Sequence, residues 1–152
     1  MLPSTTVLLT SRHAFRELAY RVADRLRAGD CLLLEGELGT GKTTWVDDMV
    51  SRWGCPGVVS SPTFQLVHHY PTPIPVYHMD FYRIKEASAS VLDLEYYLQK
   101  KGILLIEWGQ NLAHFLPKKC LQVTLSYGQD PDHRLVTIAG FENQERILYD
   151  PI

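Results

Sequence analysis

The sequence predicts an α/β fold in which helices cover both faces of one mixed, mainly parallel β-sheet with antiparallel C-terminal strands. Three observations predict it. An apolar run, a glycine-rich loop and a helical pattern follow one another over residues 31–53. Two more apolar runs, 76–80 and 103–107, each end in an acidic residue and flank a helical pattern. Beyond residue 120, strand-like runs alternate with turn residues, which indicates antiparallel strands at one side of the sheet.

The size and charge of the chain restrict its function. Its 152 residues fit one domain, 1–152, with a sizeable core. A formal charge of −2 is unlike that of an autonomous nucleic-acid binder, so any contact with RNA is expected through a partner. No apolar run reaches the roughly 20 residues of a membrane span and no secretory pattern begins the chain, which predicts a cytoplasmic protein. The three cysteines form no C-x-x-C pair, so free thiols are expected.

The N-terminal part is predicted to be a strand followed by a helix. Residues 6–10 are mostly apolar, and Ser11 is suited to cap the helix that follows. The arginines of this helix are interpreted as its solvated side. Gly29 ends the helix before the strand at 31–35. The apolar residues that share one helical face are Phe15, Leu18, Ala19, Val22 and Leu26.

Residues 36–43 read G-E-L-G-T-G-K-T and fit the phosphate-binding pattern G-x-x-x-x-G-K-[ST] at every fixed position. The glycines let backbone N–H groups approach phosphate oxygens, and the helix start adds partial positive charge. Lys42 is expected to neutralise the β- and γ-phosphates, Thr43 to offer a hydroxyl to Mg²⁺, and Thr44 to donate near the α-phosphate. The pattern predicts a nucleotide triphosphate site in a P-loop NTPase-like fold. A glycine-rich turn with a surface lysine is the alternative.

The segments after this loop leave two interpretations open. Hydroxyl residues surround Pro62 at 60–64, and they form either an ordinary polar loop or a switch segment that senses the γ-phosphate. Prolines at 71, 73 and 75 predict a hairpin-like connection between a strand that ends at Tyr70 and the strand at 76–80. A capped helix is predicted from Ser90 to Gly102.

Two strand-end acids are the second sign of a nucleotide site. Asp80 and Glu107 each end a predicted strand, and ligands gather at the carboxyl ends of strands in open α/β sheets. Such an acid can hold Mg²⁺ directly or through water. The two acids therefore compete for metal binding and for orienting the attacking water. Trp108 is interpreted as packing or as a screen of the site. His133 and Arg134 can reach the nucleotide, although a rim salt bridge is favoured.

Four motifs together resemble one family. They are E-G-E-L-G-T-G-K-T-T at 35–44, S-S-P-T-F-Q-L at 60–66, Y-H-M-D-F-Y-R at 77–83 and L-I-E-W at 105–108. Their order and spacing resemble those of TsaE (YjeE), small ATPases of bacterial tRNA threonylcarbamoyladenosine biosynthesis. The resemblance implies ATP with Mg²⁺ and slow, partner-dependent hydrolysis. It also implies work with TsaB and TsaD, which transfer a threonylcarbamoyl group to the adenosine beside the anticodon, a transfer that TsaE does not itself perform.

The resemblance also implies roles for single residues. Lys42 holds phosphates, Thr43 and Glu107 bind Mg²⁺, and Asp80 positions water or the hydration shell of the metal. Residues 60–64 are the switch loop, and Gln110 stands where many relatives carry an acid, so no role is carried over to it. The implied nucleotide contacts are Thr10, Leu38, Gly39, Thr40, Gly41, Lys42, Thr43 and Thr44.

Two other functions share the same loop. A small-molecule kinase would need an acceptor pocket and usually an arginine-bearing lid, whereas the insertion at 84–101 contains no arginine. A nucleotide-gated interaction module would use ATP to order residues 60–64, and hydrolysis would be incidental. The two functions differ in whether ATP hydrolysis is required for the modification: an ATPase requires it, and such a module does not.

Overall fold

The computed structural model describes residues 4–55, 67–81, 94–107, 116–117 and 120–140. Its elements are β1 (Ser4–Leu9), α1 (Arg12–Arg25), β2 (Cys31–Gly36), α2 (Lys42–Arg52), β3 (Val67–Tyr70), β4 (Val76–Asp80), β5 (Ile103–Glu107), β6 (Leu121–Tyr127) and β7 (Arg134–Ala139). Residues 94–99 are also helical. Within these described ranges, no helix has both the length and the apolar character that crossing a membrane requires.

The described strands form one sheet in the order β1-β7-β6-β2-β5-β4-β3. The central strand β2 is parallel to β6 on one side and to β5 on the other, and β4 is parallel to β5. The outer strands are antiparallel, since β3 pairs with β4, β7 with β6, and β1 with β7. The predicted mixed sheet with antiparallel C-terminal strands is confirmed. The parallel pairings are confined to its centre and make up three of the six pairings among these strands.

Two apolar cores lie on the two faces of the sheet, which confirms the three layers. Alternate residues of a strand point to opposite faces. Accordingly, Leu32 and Leu34 of β2 pack with α1 and α2, whereas Cys31 and Leu33 pack in a second core with Leu94 of the helical stretch 94–99. The thiols of Cys31 and Cys120 lie 3.0 Å apart in this second core, and neither forms a disulfide bond.

The two helices on the first face are fastened to each other by side chains. The Arg12 guanidinium donates two hydrogen bonds of 2.7 Å to Asp48, whose carboxylate is buried. The Phe15 and Trp45 rings meet edge to face, with centroids 5.2 Å apart. Arg12 is 47% exposed, as expected for the solvated side of α1, and it also pairs with a carboxylate that apolar packing has removed from water.

The predicted elements agree closely with the observed ones in the central strands. The strands at 76–80 and 103–107 have the predicted bounds, and Ser11 caps α1 by accepting a hydrogen bond from the Ala14 N–H at 3.0 Å. β1 begins two residues before the predicted start and ends one residue before the predicted end. The predicted cap at Ser90 lies outside the described residues.

Candidate nucleotide-binding site

The glycine-rich loop joins the end of β2 to the start of α2 through backbone that favours glycine. Gly39 has φ 83° and Gly41, the N-cap of α2, has φ 108°. A Cβ atom at Gly39 would lie 2.6 Å from the Tyr127 hydroxyl, and one at Gly41 would lie 3.2 Å from the Phe15 ring. Both glycines are therefore required by backbone conformation and by close neighbours.

The start of α2 lacks the side-chain cap that α1 has. Ser11 accepts a hydrogen bond from the first turn of α1, but Gly41 offers α2 no side-chain oxygen. The first backbone N–H groups of a helix have no partner within the helix, and they carry the positive end of its dipole. The loop thus presents a helix start suited to an anion in the place of a capping side chain.

Lys42 is the cation of the loop, and it is almost fully buried. Its ammonium donates hydrogen bonds to the Gly36 carbonyl oxygen and, at 3.2 Å, to the Glu37 carbonyl oxygen. Burial lowers the pKa of Lys42 below its ordinary 10.5, while the negative charges of Glu107 and then Asp80 act in the opposite direction. The lysine therefore lies within electrostatic reach of both strand-end acids.

Asp80 and Glu107 are directly opposite each other at the ends of two parallel strands. Strand alternation places them on the sheet face that α1 and α2 cover, because Val76 and Ile103 of the same strands pack in that core. Glu107 is only 2% exposed, and Asp80 is partly exposed. The His78 Nε2 lies 2.5 Å from the Glu107 Oε2. Two carboxylates thus face the lysine from the β4 and β5 side of the loop.

A cavity of about 300 Å³ flanks the loop on the side of α1 and β7. The Arg134 Nε donates a 3.0 Å hydrogen bond to the Thr40 carbonyl oxygen, and its guanidinium lies 4.9 Å from the centre of the Tyr127 ring. The predicted rim salt bridge is present for His133, which lies 3.4 Å from Asp130, whereas among the described residues Arg134 contacts the backbone of the loop. The cavity is lined by Ser11, Arg12, Phe15, Gly39, Thr40, Gly41, Thr44, Asp132 and Arg134.

Sequence comparison relates the chain to one protein family. Residues 9–136 match the profile of a family described as threonylcarbamoyl adenosine biosynthesis protein TsaE. The chain belongs to the TsaE family. It is 33% identical to tRNA threonylcarbamoyladenosine biosynthesis protein TsaE of Bacillus subtilis (strain 168) over 138 residues, which cover 90% of this chain and 86% of that protein. The protein of the same name from Rickettsia bellii (strain RML369-C) is 36% identical over 143 residues, covering 92% and 97%.

A solved structure shows the same fold as this TsaE family member. The crystal structure of YdiB from Bacillus subtilis superposes with a TM-score of 0.80 at 29% sequence identity. The match covers 97% of this chain and 93% of that chain. The strand order and the three layers described above are therefore shared with a solved structure over nearly the whole chain.

The structure brings most of the predicted site residues to one edge of the sheet. Thr10 is exposed and precedes Ser11 at the mouth of the cavity. Leu38 is 67% exposed, and its carbonyl oxygen accepts a 2.7 Å hydrogen bond from the Tyr127 hydroxyl. Thr43 and Thr44 lie in the first turn of α2. The predicted switch loop at 60–64, together with Trp108 and Gln110, lies outside the described residues.

Sequence reasoning did not foresee two contacts at this site, although it weighed Arg134 as a nucleotide contact. Arg134 holds the loop backbone, and His78 contacts the buried carboxylate of Glu107. One signal pointed to His78, because it precedes Asp80 by two residues on a predicted strand and so shares its face. No local pattern pointed to Arg134, which is separated from Thr40 by 94 positions in the chain.

Tyr70 is expected to make the stability of the fold depend on pH above about 10, where a free tyrosine ionises. Burial, followed by the charges of Cys55, Glu107 and Asp47, raises the pKa of Tyr70 to about 12. Since the folded chain holds this proton more tightly, its stabilising contribution is complete below pH 10 and is lost as the pH rises towards 12. We expect a loss of about 1 kcal/mol, because partial exposure screens the effect.

Urea unfolding of the wild-type chain and of Tyr70→Phe at pH 9 and pH 11 measures this loss. The Tyr70 hydroxyl is buried and has no hydrogen-bond partner among the described residues, so Phe is expected to be tolerated at pH 9. The variant should lose less free energy of unfolding than the wild type between the two pH values. Tyr20→Phe is the matched control for removing one phenol. Equal losses in wild type and Tyr70→Phe would contradict the prediction.

Proposed function

We propose that this chain is a Mg²⁺-dependent ATPase that supports the N6-threonylcarbamoyl modification of the adenosine beside the tRNA anticodon. One observation carries the proposal. An uncapped helix start and a buried lysine lie between a cavity on one side and two strand-end carboxylates on the other. This is the arrangement that binds a nucleotide by its phosphates and cleaves its terminal phosphate.

The sheet topology determines the orientation that we propose for the nucleotide. β2 is the central strand, with β6 and β7 on the cavity side and β5 and β4 on the side of the acids. We place the adenosine in the cavity, where Phe15 and Arg134 line the wall. The phosphates then cross the start of α2, and the γ-phosphate lies towards Asp80 and Glu107. Thr44 lines the cavity as well, which supports its contact near the α-phosphate.

The residues present suit Mg²⁺ carried in by the nucleotide. In the described part of the chain, no group of three or more His, Cys, Asp or Glu side chains is placed to hold a metal ion. The Thr43 hydroxyl and the Glu107 carboxylate offer two oxygen ligands, and Mg²⁺ is typically held by one or two carboxylates, waters and substrate phosphates. Bound there, Mg²⁺ would neutralise charge that develops on the phosphate oxygens.

The side chains of the site then have separate tasks. When ATP binds, the Lys42 ammonium leaves the carbonyl oxygens of Gly36 and Glu37 and contacts the β- and γ-phosphates. Their negative charge offsets the free-energy cost of desolvating the ammonium. Asp80 is partly exposed, so it can orient the water that attacks the γ-phosphate. Glu107 is buried and fixed by His78, which suits a metal ligand better than a mobile base.

Partner proteins complete the proposed function. The names of the relatives place them in tRNA threonylcarbamoyladenosine biosynthesis, and we propose that this chain acts there with homologues of TsaB and TsaD. Its ATP binding and hydrolysis support turnover of that complex, and tRNA is reached through the partners. The transfer of the threonylcarbamoyl group belongs to the partners.

Phosphate release from ATP tests the proposal. We expect slow Mg²⁺-dependent release by the purified chain and faster release when purified TsaB and TsaD homologues are added. The same mixture with Lys42→Ala is the blank. A rate of phosphate release that does not change when the partners are added would contradict the role in modification. Phosphate release that requires a small-molecule acceptor would indicate a kinase. Full tRNA modification by a variant that binds ATP without hydrolysing it would indicate a nucleotide-gated module.

A further inference from the structure

We propose that His78 is a positioning residue that holds the Glu107 carboxylate in the orientation needed for Mg²⁺ and ATP. The inference rests on the proposed function, because it assigns a partner to the carboxylate that binds the metal. It concerns a residue that lies outside the phosphate loop and does not itself contact the nucleotide.

The contact is buried and short. His78 lies on β4 and Glu107 on β5, and the side chains of both are at most 3% exposed. The His78 Nε2 and the Glu107 Oε2 are 2.5 Å apart. The inference requires the imidazole to donate from Nε2, because a carboxylate that binds Mg²⁺ can only accept hydrogen bonds. A hydrogen bond between groups removed from water fixes both side chains.

Among the described residues, the contact with Glu107 is the only side-chain hydrogen bond of the imidazole. Its other nitrogen, Nδ1, is buried and has no hydrogen-bond partner among the described residues. Burying a polar atom without a partner costs free energy, so a residue chosen for stability alone would favour an apolar side chain here. The donor on Nε2 is the property that an apolar side chain lacks. Its partner is Oε2 of the Glu107 carboxylate.

Tyr70 supports the histidine from the edge of the sheet. Its ring on β3 stacks on the His78 ring, with centroids 6.5 Å apart and planes inclined by 27°. The three residues Tyr70, His78 and Glu107 therefore form a row across three neighbouring strands on the face that α1 and α2 cover. The row ends at the acid that reaches Lys42 electrostatically. Packing at the edge thus limits the rotation of the imidazole and, through it, of the carboxylate.

Two substitutions that differ by one methylene group test the inference. In His78→Gln, the side-chain amide nitrogen takes the place of Nε2 and can still donate to Glu107. In His78→Asn, the amide nitrogen takes the place of Nδ1 and falls short of the carboxylate. Both variants are polar and uncharged, so a purely structural role predicts similar behaviour. His69→Gln is the matched control, because His69 is exposed and stacks on Tyr77 on the other face of the sheet.

The readouts separate metal from nucleotide. ADP affinity is measured by calorimetry with and without Mg²⁺, and turnover gives kcat, KM for ATP and the Mg²⁺ concentration for half-maximal rate. We expect His78→Asn to lose at least about 10-fold in kcat and in the Mg²⁺ enhancement of ADP affinity, the usual loss when a support of a metal ligand is removed. ADP affinity without Mg²⁺ should change less than about threefold. His78→Gln should keep most of the wild-type values, and His69→Gln all of them.

Coupling to Glu107 gives the deciding comparison. In a Glu107→Gln background, His78→Asn should lower the Mg²⁺ enhancement less than about twofold further, because the group it positions has already been changed. Additive losses, equal losses in the Gln and Asn variants, or wild-type Mg²⁺ enhancement in His78→Asn would overturn the inference. If the wild-type chain shows no Mg²⁺-dependent nucleotide binding, the proposed function itself fails.

Nitrogen NMR of the six histidines provides a test that needs no activity. His78 is expected to carry a proton on Nε2, and this resonance should be the one that Glu107→Gln shifts most. The spectrum remains informative even if a His78 variant fails to fold. A His78 ring that is protonated only on Nδ1, or whose Nε2 resonance ignores the Glu107 substitution, would overturn the inference.

Discussion

Lys42→Met is expected to weaken ATP binding at least about 100-fold, which corresponds to about 2.7 kcal/mol, while leaving the free energy of unfolding unchanged or higher. The ammonium is the cation of the phosphate loop, so its removal deprives the phosphates of a charge-assisted partner. In the nucleotide-free chain, the same ammonium is buried against the Gly36 and Glu37 carbonyl oxygens. Burial of that charge opposes folding, so Met relieves a cost that ATP would otherwise offset.

The pH dependence of stability supports the same test. Because burial lowers the pKa of Lys42, the unfolded chain holds this proton more tightly than the folded chain. Its contribution to stability therefore improves as the pH rises from the lowered folded pKa towards the unfolded value near 10.5. Lys42→Met should remove that rise in urea unfolding measured across this range.

Calorimetric ATP titration and urea unfolding at pH 7 measure both effects of Lys42→Met. Lys101→Met is the matched control, because Lys101 is exposed and lies away from the loop. The control should bind ATP like the wild type. Normal ATP binding by the Lys42→Met chain would contradict the site assignment. A clear loss of the free energy of unfolding at pH 7 would show that the hydrogen bonds of the ammonium stabilise the fold more than its desolvation destabilises it.

Glu107→Gln is expected to lower Mg²⁺-dependent turnover about 100-fold or more, a loss of at least about 2.7 kcal/mol of transition-state stabilisation. Gln keeps the volume of the side chain and an oxygen that can accept from His78, so the fold should persist. ATP affinity in the absence of Mg²⁺ should stay the same or increase, because one negative charge that faces the triphosphate has been removed. The substitution thus separates nucleotide binding from turnover.

Phosphate release and Mg²⁺-free nucleotide titration on the same preparation test this separation. Glu95→Gln removes an exposed carboxylate from the helical stretch 94–99 and should behave as the wild type. Asp80→Asn, assayed in parallel, distinguishes the two acids, since the variant that changes the Mg²⁺ requirement has lost the metal ligand. Normal turnover by Glu107→Gln would exclude it as that ligand.

The local patterns of the sequence predicted the central sheet well. The strands at 76–80 and 103–107 have the predicted bounds because each is a run of mainly apolar residues that ends in an acid. The glycine-rich turn between β2 and α2 was predictable for a similar reason, since the fixed positions of its motif lie within eight residues of one another. Interactions between near neighbours in the chain determine these features.

The contacts between distant residues could not be predicted in the same way. The pairing of His78 with Glu107 depends on β4 lying beside β5, and the contact of Arg134 with Thr40 depends on the β6 and β7 hairpin lying beside β2. The strand order sets both neighbourhoods, and no single segment specifies it. For this reason the two candidate acids could be proposed from the sequence, whereas the contacts of His78 with Glu107 and of Arg134 with Thr40 were found only in the structure.

The contacts of β6 and β7 with the glycine-rich loop have a consequence for folding during translation. The hydroxyl of Tyr127 and the guanidinium of Arg134 fasten the carbonyl oxygens of Leu38 and Thr40. The loop is translated early, but these two fastenings emerge from the ribosome after β5 and the helical stretch before it. The glycine-rich loop is therefore synthesised well before Tyr127 and Arg134, the residues that hold its backbone in place. We expect a chain truncated before β6 and β7 to lack the loop conformation that the proposed nucleotide site requires.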